Sequence, residues 1–144
     1  MTVRYKALVV DDDVDICRYV SNRLKAMGHE SDCVNCIEDA RSFVNGNRYD
    51  YVILDMELPV RYGAPPDVST GVFFLSTLRE KFKRDELPVI VITAKMDNGQ
   101  NRDLPSRIFY EEANDMLLKP LEETGDHTLE DSILKFVEKR KGVE

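Results

Sequence analysis

With 144 residues, 42% of them hydrophobic and 33% charged, the chain has the size of one domain and the apolar content to build a core. Its net charge of −7 argues against non-specific binding to nucleic acid or anionic membrane, which selects clustered Lys and Arg. No apolar run approaches the roughly 20 residues of a membrane helix, and Met1 to Arg4 lead straight into an apolar segment with no signal peptide, so a cytoplasmic protein is expected.

The first element is a strand over Tyr5 to Val10 (YKALVV), an apolar run that ends in acids. Asp13 is placed to cap a helix from about Val14, whose stripe of Ile16, Val20, Leu24 and Met27 is closed by Gly28. Residues 30–34 (ESDCV) read as a second strand. Ile37, Ala40, Phe43 and Val44 make a short amphipathic helix that stops at Gly46. Tyr51 to Leu54 is a third strand running into Asp55, and Phe74, Leu75, Leu78 and Phe82 predict a helix over 72–82. Pro88 introduces a fourth strand, Val89 to Thr93 (VIVIT), and Pro105 suits the first turn of a helix running to about Ala113. Met116 to Leu118 is a brief strand before Lys119 and Pro120. Leu129, Ile133, Phe136 and Val137 form a last helix, whose Lys135, Lys139, Arg140 and Lys141 read as a solvated basic end.

Three cysteines, Cys17, Cys33 and Cys36, do not make a disulfide framework. Cys33 and Cys36 form a single CxxC with His29 four residues upstream, a weak zinc signal without a second pair. The plainer reading has Cys33 ending a strand, Cys36 opening a helix and Cys17 half-buried on the first helix.

Strand followed by helix, five times over, with continuous rather than alternating apolar strands, predicts a parallel sheet covered by helices on both faces. Functional groups in such sheets gather at the carboxyl ends of the strands. There the sequence places Asp11, Asp12 and Asp13 after strand one, Asp55 after strand three, Thr93 after strand four and Lys119 after strand five. Crowded carboxylates raise one another's pKa or take up a cation. An all-oxygen site with room for water suits Mg²⁺ and leaves space for a phosphoryl oxygen. A carboxylate beside that ion can attack a phosphoryl donor and become an aspartyl phosphate. A lysine and a hydroxyl then meet the charge on the phosphoryl oxygens.

The segments VVDDD (9–13), VILDMELP (52–59), VIVITA (89–94) and LLKP (117–120) together resemble the four signatures of response-regulator receiver domains, in that family's order and spacing. The resemblance implies a flavodoxin-like, doubly wound α/β fold of chemotaxis-regulator type, with five parallel strands ordered 2-1-3-4-5. It implies Asp55 as phosphoacceptor and Asp11 and Asp12 as the acidic pair. Mg²⁺ would be held by Asp11, Asp12, Asp55 and the backbone carbonyl of Glu57. Thr93 would be the hydroxyl that moves toward the phosphoryl group, and Lys119 the cation that pairs with it. The implied donor is a sensor histidine kinase or phosphotransfer protein of a two-component phosphorelay, and the implied output is an unnamed downstream protein. A homodimer formed on phosphorylation is among the partners the resemblance allows; direct nucleic-acid or membrane contact is not. By this reading the chain is not an enzyme, catalysing only its own Mg²⁺-dependent phosphorylation and dephosphorylation.

The chain departs from the family's pattern in three places. Gly71 falls twelve residues after Pro59 instead of about four, so a loop near 60–70 (VRYGAPPDVST) is inserted beside the pocket, as a cover, a partner contact or a tolerated excursion. Met116 stands where an aromatic switch residue is usual. The stretch 95–105 (KMDNGQNRDLP) is longer and more polar than usual, delaying the fourth helix. Glu57, two residues after the acceptor, sits where the family tunes water attack on the phosphoryl group. About 24 residues follow Lys119-Pro120, room for one helix rather than an output domain, so 1–144 is expected to be a single receiver.

Rival readings fare worse. A haloacid-dehalogenase-type phosphatase would use Asp11 and Asp13 but leave Asp55 idle, and its later acidic pair (Glu111 with Glu112, or Glu130 with Asp131) falls on predicted helices. A calcium loop from Asp11, Asp13 and Asp15 has Ile16 and Asn22 where Gly and Glu are needed. Asp11 and Asp12 alone would pass for an acidic helix N-terminus. The alternative of another class is a degenerate receiver that binds protein without phosphorylation.

Overall fold

The computed structural model describes residues 4–94, 106–108 and 111–138. Strands β1 (Lys6–Val10), β2 (Glu30–Val34), β3 (Tyr51–Asp55), β4 (Val89–Ala94) and β5 (Asp115–Lys119) form one sheet in the order 2-1-3-4-5. Every pairing is parallel. Helices α1 (Val14–Ala26), α2 (Ile37–Gly46) and α3 (Val68–Lys81) connect successive strands, and a C-terminal helix over Leu129–Ile133 passes into a π-type turn at Leu134–Glu138.

The unbroken apolar strands are explained by their alternation between two cores. Leu8, Val10, Val52, Leu54, Val89 and Val91 point toward α2 and α3, meeting Ile37, Ala40, Phe74, Leu75 and Leu78. Their neighbours Ala7, Val9, Tyr51, Ile53, Ile90 and Ile92 point the other way, toward Cys17, Val20 and Leu24 of α1 and Leu129, Ile133 and Val137 of the C-terminal helix. A side-chain period of two therefore reads as a solid apolar run once both faces are covered.

Among the described residues the expected elements are found with one change. Helix α3 begins at Val68, not at residue 72, because Asp67 caps it by accepting from the Ser69 N–H at 2.8 Å. Three residues counted as loop thus become its first turn, and Gly71 lies inside the helix. Of the helix expected to run to about Ala113, residues 106–108 are helical and residues 111–112 form its closing turn, with the Glu111 N–H on the Arg107 carbonyl at 3.0 Å. Glu112 adopts φ 65° and the Ala113 N–H reaches back to the Ile108 carbonyl at 3.2 Å, a left-handed closure usually given to glycine. Pro105 and the stretch 95–105 lie outside the described residues.

Caps and ion pairs fix the rest. Asp13 accepts from the Asp15 and Ile16 N–H groups at 2.9 and 3.4 Å, as its position before α1 predicts. Thr128 and Asp131 form a reciprocal capping box at the C-terminal helix. Arg23 of α1 forks onto Glu130 of that helix. Arg79 satisfies the carbonyls of Glu112 and Leu87 and the Asn114 side chain at 2.8–2.9 Å; burial lowers its pKa to about 10.

At the opposite end of the sheet from the aspartates, His29 is buried with Nδ1 2.7 Å from the Tyr51 hydroxyl and Nε2 3.5 Å from Glu138. It does not join Cys33 in a metal site: among the described residues the one cluster with metal-ligand proximity is carboxylate. Burial lowers the His29 pKa from its ordinary 6.5, against the pull of Glu138 and Asp50. A depressed folded value means that His29 contributes stability fully above 6.5 and loses it as pH falls from there toward the folded value. Thermal midpoints between about pH 8 and about pH 5.5 should drop in the wild type and drop less in His29→Gln, which keeps a partner for Tyr51.

Candidate functional site

The strand order reverses between β1 and β3, whose residues Val10 and Leu54 are register partners. Such a switch point leaves a crevice at the carboxyl ends of the strands, because the chain departs to opposite faces of the sheet on its two sides. Asp11 follows Val10 and Asp55 follows Leu54, so the fold sets the two carboxylates side by side at that crevice. Asp12 joins them: one oxygen from each of Asp11, Asp12 and Asp55 lies within 4.8 Å of the others, with Asp11 and Asp55 buried and Asp12 exposed.

Lys119 reaches in from the end of β5, which the register places opposite Ala94 at the end of β4. Its Nζ stands 2.8 Å from Asp11 Oδ2 and 3.6 Å from Asp55 Oδ2. The lysine is followed by a cis peptide bond to Pro120. Thr93 is buried one residue beyond Ile92, the strand partner of Asp55. Glu57 is exposed at the mouth, and its N–H donates to Asp55 Oδ1 at 3.4 Å.

The electrostatics follow from two buried acids and one cation. Burial raises the Asp55 carboxyl to about 7, the Asp11 charge adds to this, and Lys119 offsets part of it. Burial likewise raises Asp11. Burial alone would lower the Lys119 ammonium, but the two carboxylates outweigh it and hold it above its ordinary value. Two acids facing one half-buried ammonium leave the pocket one positive charge short.

The donor set fits a hard divalent cation. All three side chains offer carboxylate oxygen, the preference of Mg²⁺. Asp11 Oδ1 is already taken by the Asp13 N–H at 2.9 Å. Asp11 Oδ2 is buried against the Lys119 ammonium at 2.8 Å. Lys119 is one cation among three clustered carboxylates, so a second positive charge is favoured beside them.

Backbone anchors hold the rim. The Asn35 amide donates to the Asp11 carbonyl at 2.8 Å, and the Cys17 thiol donates to the same oxygen at 3.6 Å. Sequence reasoning missed both contacts; the one available signal is that Asn35 directly follows the second strand. The inserted loop is tied at its base by paired hydrogen bonds between Leu58 and Asp67 at 3.1 and 3.3 Å. Its Pro59 and Val60 carbonyls accept from the Ile37 and Glu38 N–H groups, which Cys36, the residue opening α2, does not cap with its side chain. The outer loop leaves Tyr62 87% exposed. Met116 is half-buried against the α2–α3 core, an apolar filler where the family's aromatic was expected.

Residues 7–129 match the family model described as the response regulator receiver domain. Among solved structures the fold resembles a signal receiver domain from Vibrio parahaemolyticus, 22% identical, with a TM-score of 0.75 over 96% of this chain and 94% of that one. It also resembles a sensor protein from Polaromonas sp. JS666, 25% identical, TM-score 0.72, covering 94% and 98% of the two chains. A CheY-like receiver domain protein from Methanospirillum hungatei JF-1 shares the fold at 16% identity, TM-score 0.71, over 97% and 96%.

Proposed function

The chain belongs to the response regulator receiver domain family, and from that premise we propose that it is a phosphorylation-driven switch in which Asp55 accepts a phosphoryl group from the phosphohistidine of a sensor kinase or phosphotransfer protein. Receiver domains are signalling domains rather than enzymes of turnover. The observation that carries the reading is the convergence of Asp11, Asp12, Asp55 and Lys119 from three strand ends onto one crevice.

In this mechanism an Asp55 carboxylate oxygen attacks the phosphorus and the imidazole nitrogen of the donor leaves. Lys119, 3.6 Å from Asp55, moves its charge from the carboxylates to a phosphoryl oxygen as the acyl phosphate forms. The Thr93 hydroxyl donates a hydrogen bond to a second phosphoryl oxygen. Asp11 and Asp12, with Asp55 and the Glu57 backbone carbonyl, would hold Mg²⁺. When bound, that ion neutralises the carboxylates and the transferred group's charge. Burial of Asp55 keeps bulk water from its reacting oxygen. Movement of Thr93 and Lys119 then biases a two-state surface for a downstream protein, with Met116 repacking in place of an aromatic ring. We place the protein in the cytoplasm, where such donors reside; among the described residues no helix is long and apolar enough to cross a membrane.

Metal removal tests the reading. Incubation with acetyl phosphate and Mg²⁺ should add the mass of one phosphoryl group to the intact chain, and excess chelator should abolish the gain. Equal labelling with and without Mg²⁺ would remove the ion from the mechanism. No labelling from acetyl phosphate or from any histidine-phosphorylated donor would favour a protein-binding module that works without phosphorylation.

A further inference from the structure

The CxxC motif does not stay together in the fold. Cys36 is buried at the start of α2, whereas Cys33 lies on β2, an edge strand, and is exposed. Cys33 is the register partner of Val9, so its side chain shares the face on which α1 packs. There it meets Cys17 instead: Cys33 Sγ lies 3.5 Å from the Cys17 carbonyl and 3.3 Å from the Ser21 hydroxyl, one helical turn further along α1. The Cys17 thiol is buried beneath it, contacting the Asp11 carbonyl and the Asn35 amide at 3.6 and 3.8 Å.

The two sulfurs are chemically unequal. The neighbouring Cys17, together with the Ser21 hydroxyl 3.3 Å away, lowers the Cys33 thiol to about 7 against the cost of burial and the nearby Asp11 and Asp32 charges. One thiol is thus exposed, and the other is buried on the facing helix, whose Cys17 carbonyl lies 3.5 Å from the Cys33 sulfur. Low pKa with access, beside a second thiol, is the arrangement of an attacking and a resolving cysteine.

We propose that Cys33 and Cys17 form a peroxide-responsive pair that closes as an intramolecular disulfide between β2 and α1. The Cys33 sulfur attacks one oxygen of hydrogen peroxide and the O–O bond breaks. Cys33 becomes a sulfenic acid, and the departing hydroxide takes up the proton lost by the thiol, leaving as water. The Cys17 sulfur then attacks the sulfenic sulfur. The S–O bond breaks, and the hydroxyl leaves with the Cys17 proton as a second water. Two thiols and one peroxide give one disulfide and two waters: each sulfur loses one electron and the peroxide gains two. The product withdraws the thiol donor from the Asp11 carbonyl, so the bond forms directly beneath the acidic crevice.

The test treats the full chain with hydrogen peroxide, alkylates the remaining thiols, and measures intact mass and peptide linkage without reductant. The expected product has lost two hydrogen atoms, retains Cys36 as its alkylated thiol, links the peptides of Cys17 and Cys33, and reverts with dithiothreitol. Cys36→Ala should behave as wild type. Cys17→Ala, and Cys17→Ser as a second variant that keeps a donor to the Asp11 carbonyl, should leave Cys33 as a sulfenic acid captured by dimedone; circular dichroism checks that both fold. Hydrogen loss that survives in both Cys17 variants, oxygen gain without hydrogen loss in the wild type, or three thiols still open to alkylation would each overturn the pair.

Discussion

Asp55→Asn is expected to abolish phosphoryl incorporation from acetyl phosphate and Mg²⁺ while leaving the protein folded. The amide has no carboxylate oxygen to attack phosphorus, so the loss is of the nucleophile itself and should be total on the timescale of wild-type labelling. The fold should tolerate the change because the site is a poor place for a charge. Asp55 is 3% exposed, and burial together with Asp11 disfavours its ionised form. An amide of the same shape removes that repulsion, so the thermal midpoint at about pH 8, without Mg²⁺, should not fall. Intact mass and circular dichroism decide the matter together. A folded Asp55→Asn protein that labels at the wild-type rate would displace Asp55 as acceptor; an unfolded one would show that the carboxylate is structural.

Gly71→Ala is expected to destabilise the protein by about 1–3 kcal/mol, the usual cost of overpacking. The sign is the informative part. In an open helix interior the same change stabilises by about 1 kcal/mol, because glycine gives up more backbone entropy than alanine. Here a Cβ on Gly71 would stand 2.2 Å from the Met56 carbonyl oxygen and 2.6 Å from its Cα. Backbone cannot rotate aside as a side chain can, so α3 or the chain leaving β3 must move. Met56 directly follows Asp55, so a displaced Met56 should also slow labelling. Urea unfolding with an unchanged slope and a lower midpoint would bear this out; a higher midpoint would mean that α3 sits farther from Met56 than described.

The legibility of this protein in its sequence varies from element to element. The sheet was readable because Ala7 through Val10, Tyr51 through Leu54 and Val89 through Ile92 supply uninterrupted apolar strands, and burial on both faces is the common reason for such runs. The start of α3 was misplaced because Gly71 looks like a boundary; only the contact with Met56 shows why a glycine sits within the helix. The helix end was placed at about Ala113, beside the observed closure, although Glu112, a left-handed residue that is not glycine, leaves no local mark of its own. In the site, Asp11, Asp12, Asp55, Thr93 and Lys119 could be named because strand ends are readable and parallel sheets gather chemistry there.

What the sequence alone determined, then, is the inventory and its edge: an α/β chain whose acids, hydroxyl and lysine all fall at strand C-termini, because apolar periodicity and strand termination are local properties. Only the tertiary structure decided which of these groups touch. The strand order brings Asp11 beside Asp55 across β1 and β3, and the reach of Lys119 from β5 supplies their shared cation. It also parted Cys33 from Cys36, its neighbour in sequence, and set it against Cys17. Register and the packing of a helix on a sheet join residues far apart in the chain, and those distances are fixed by long-range burial that no local pattern encodes.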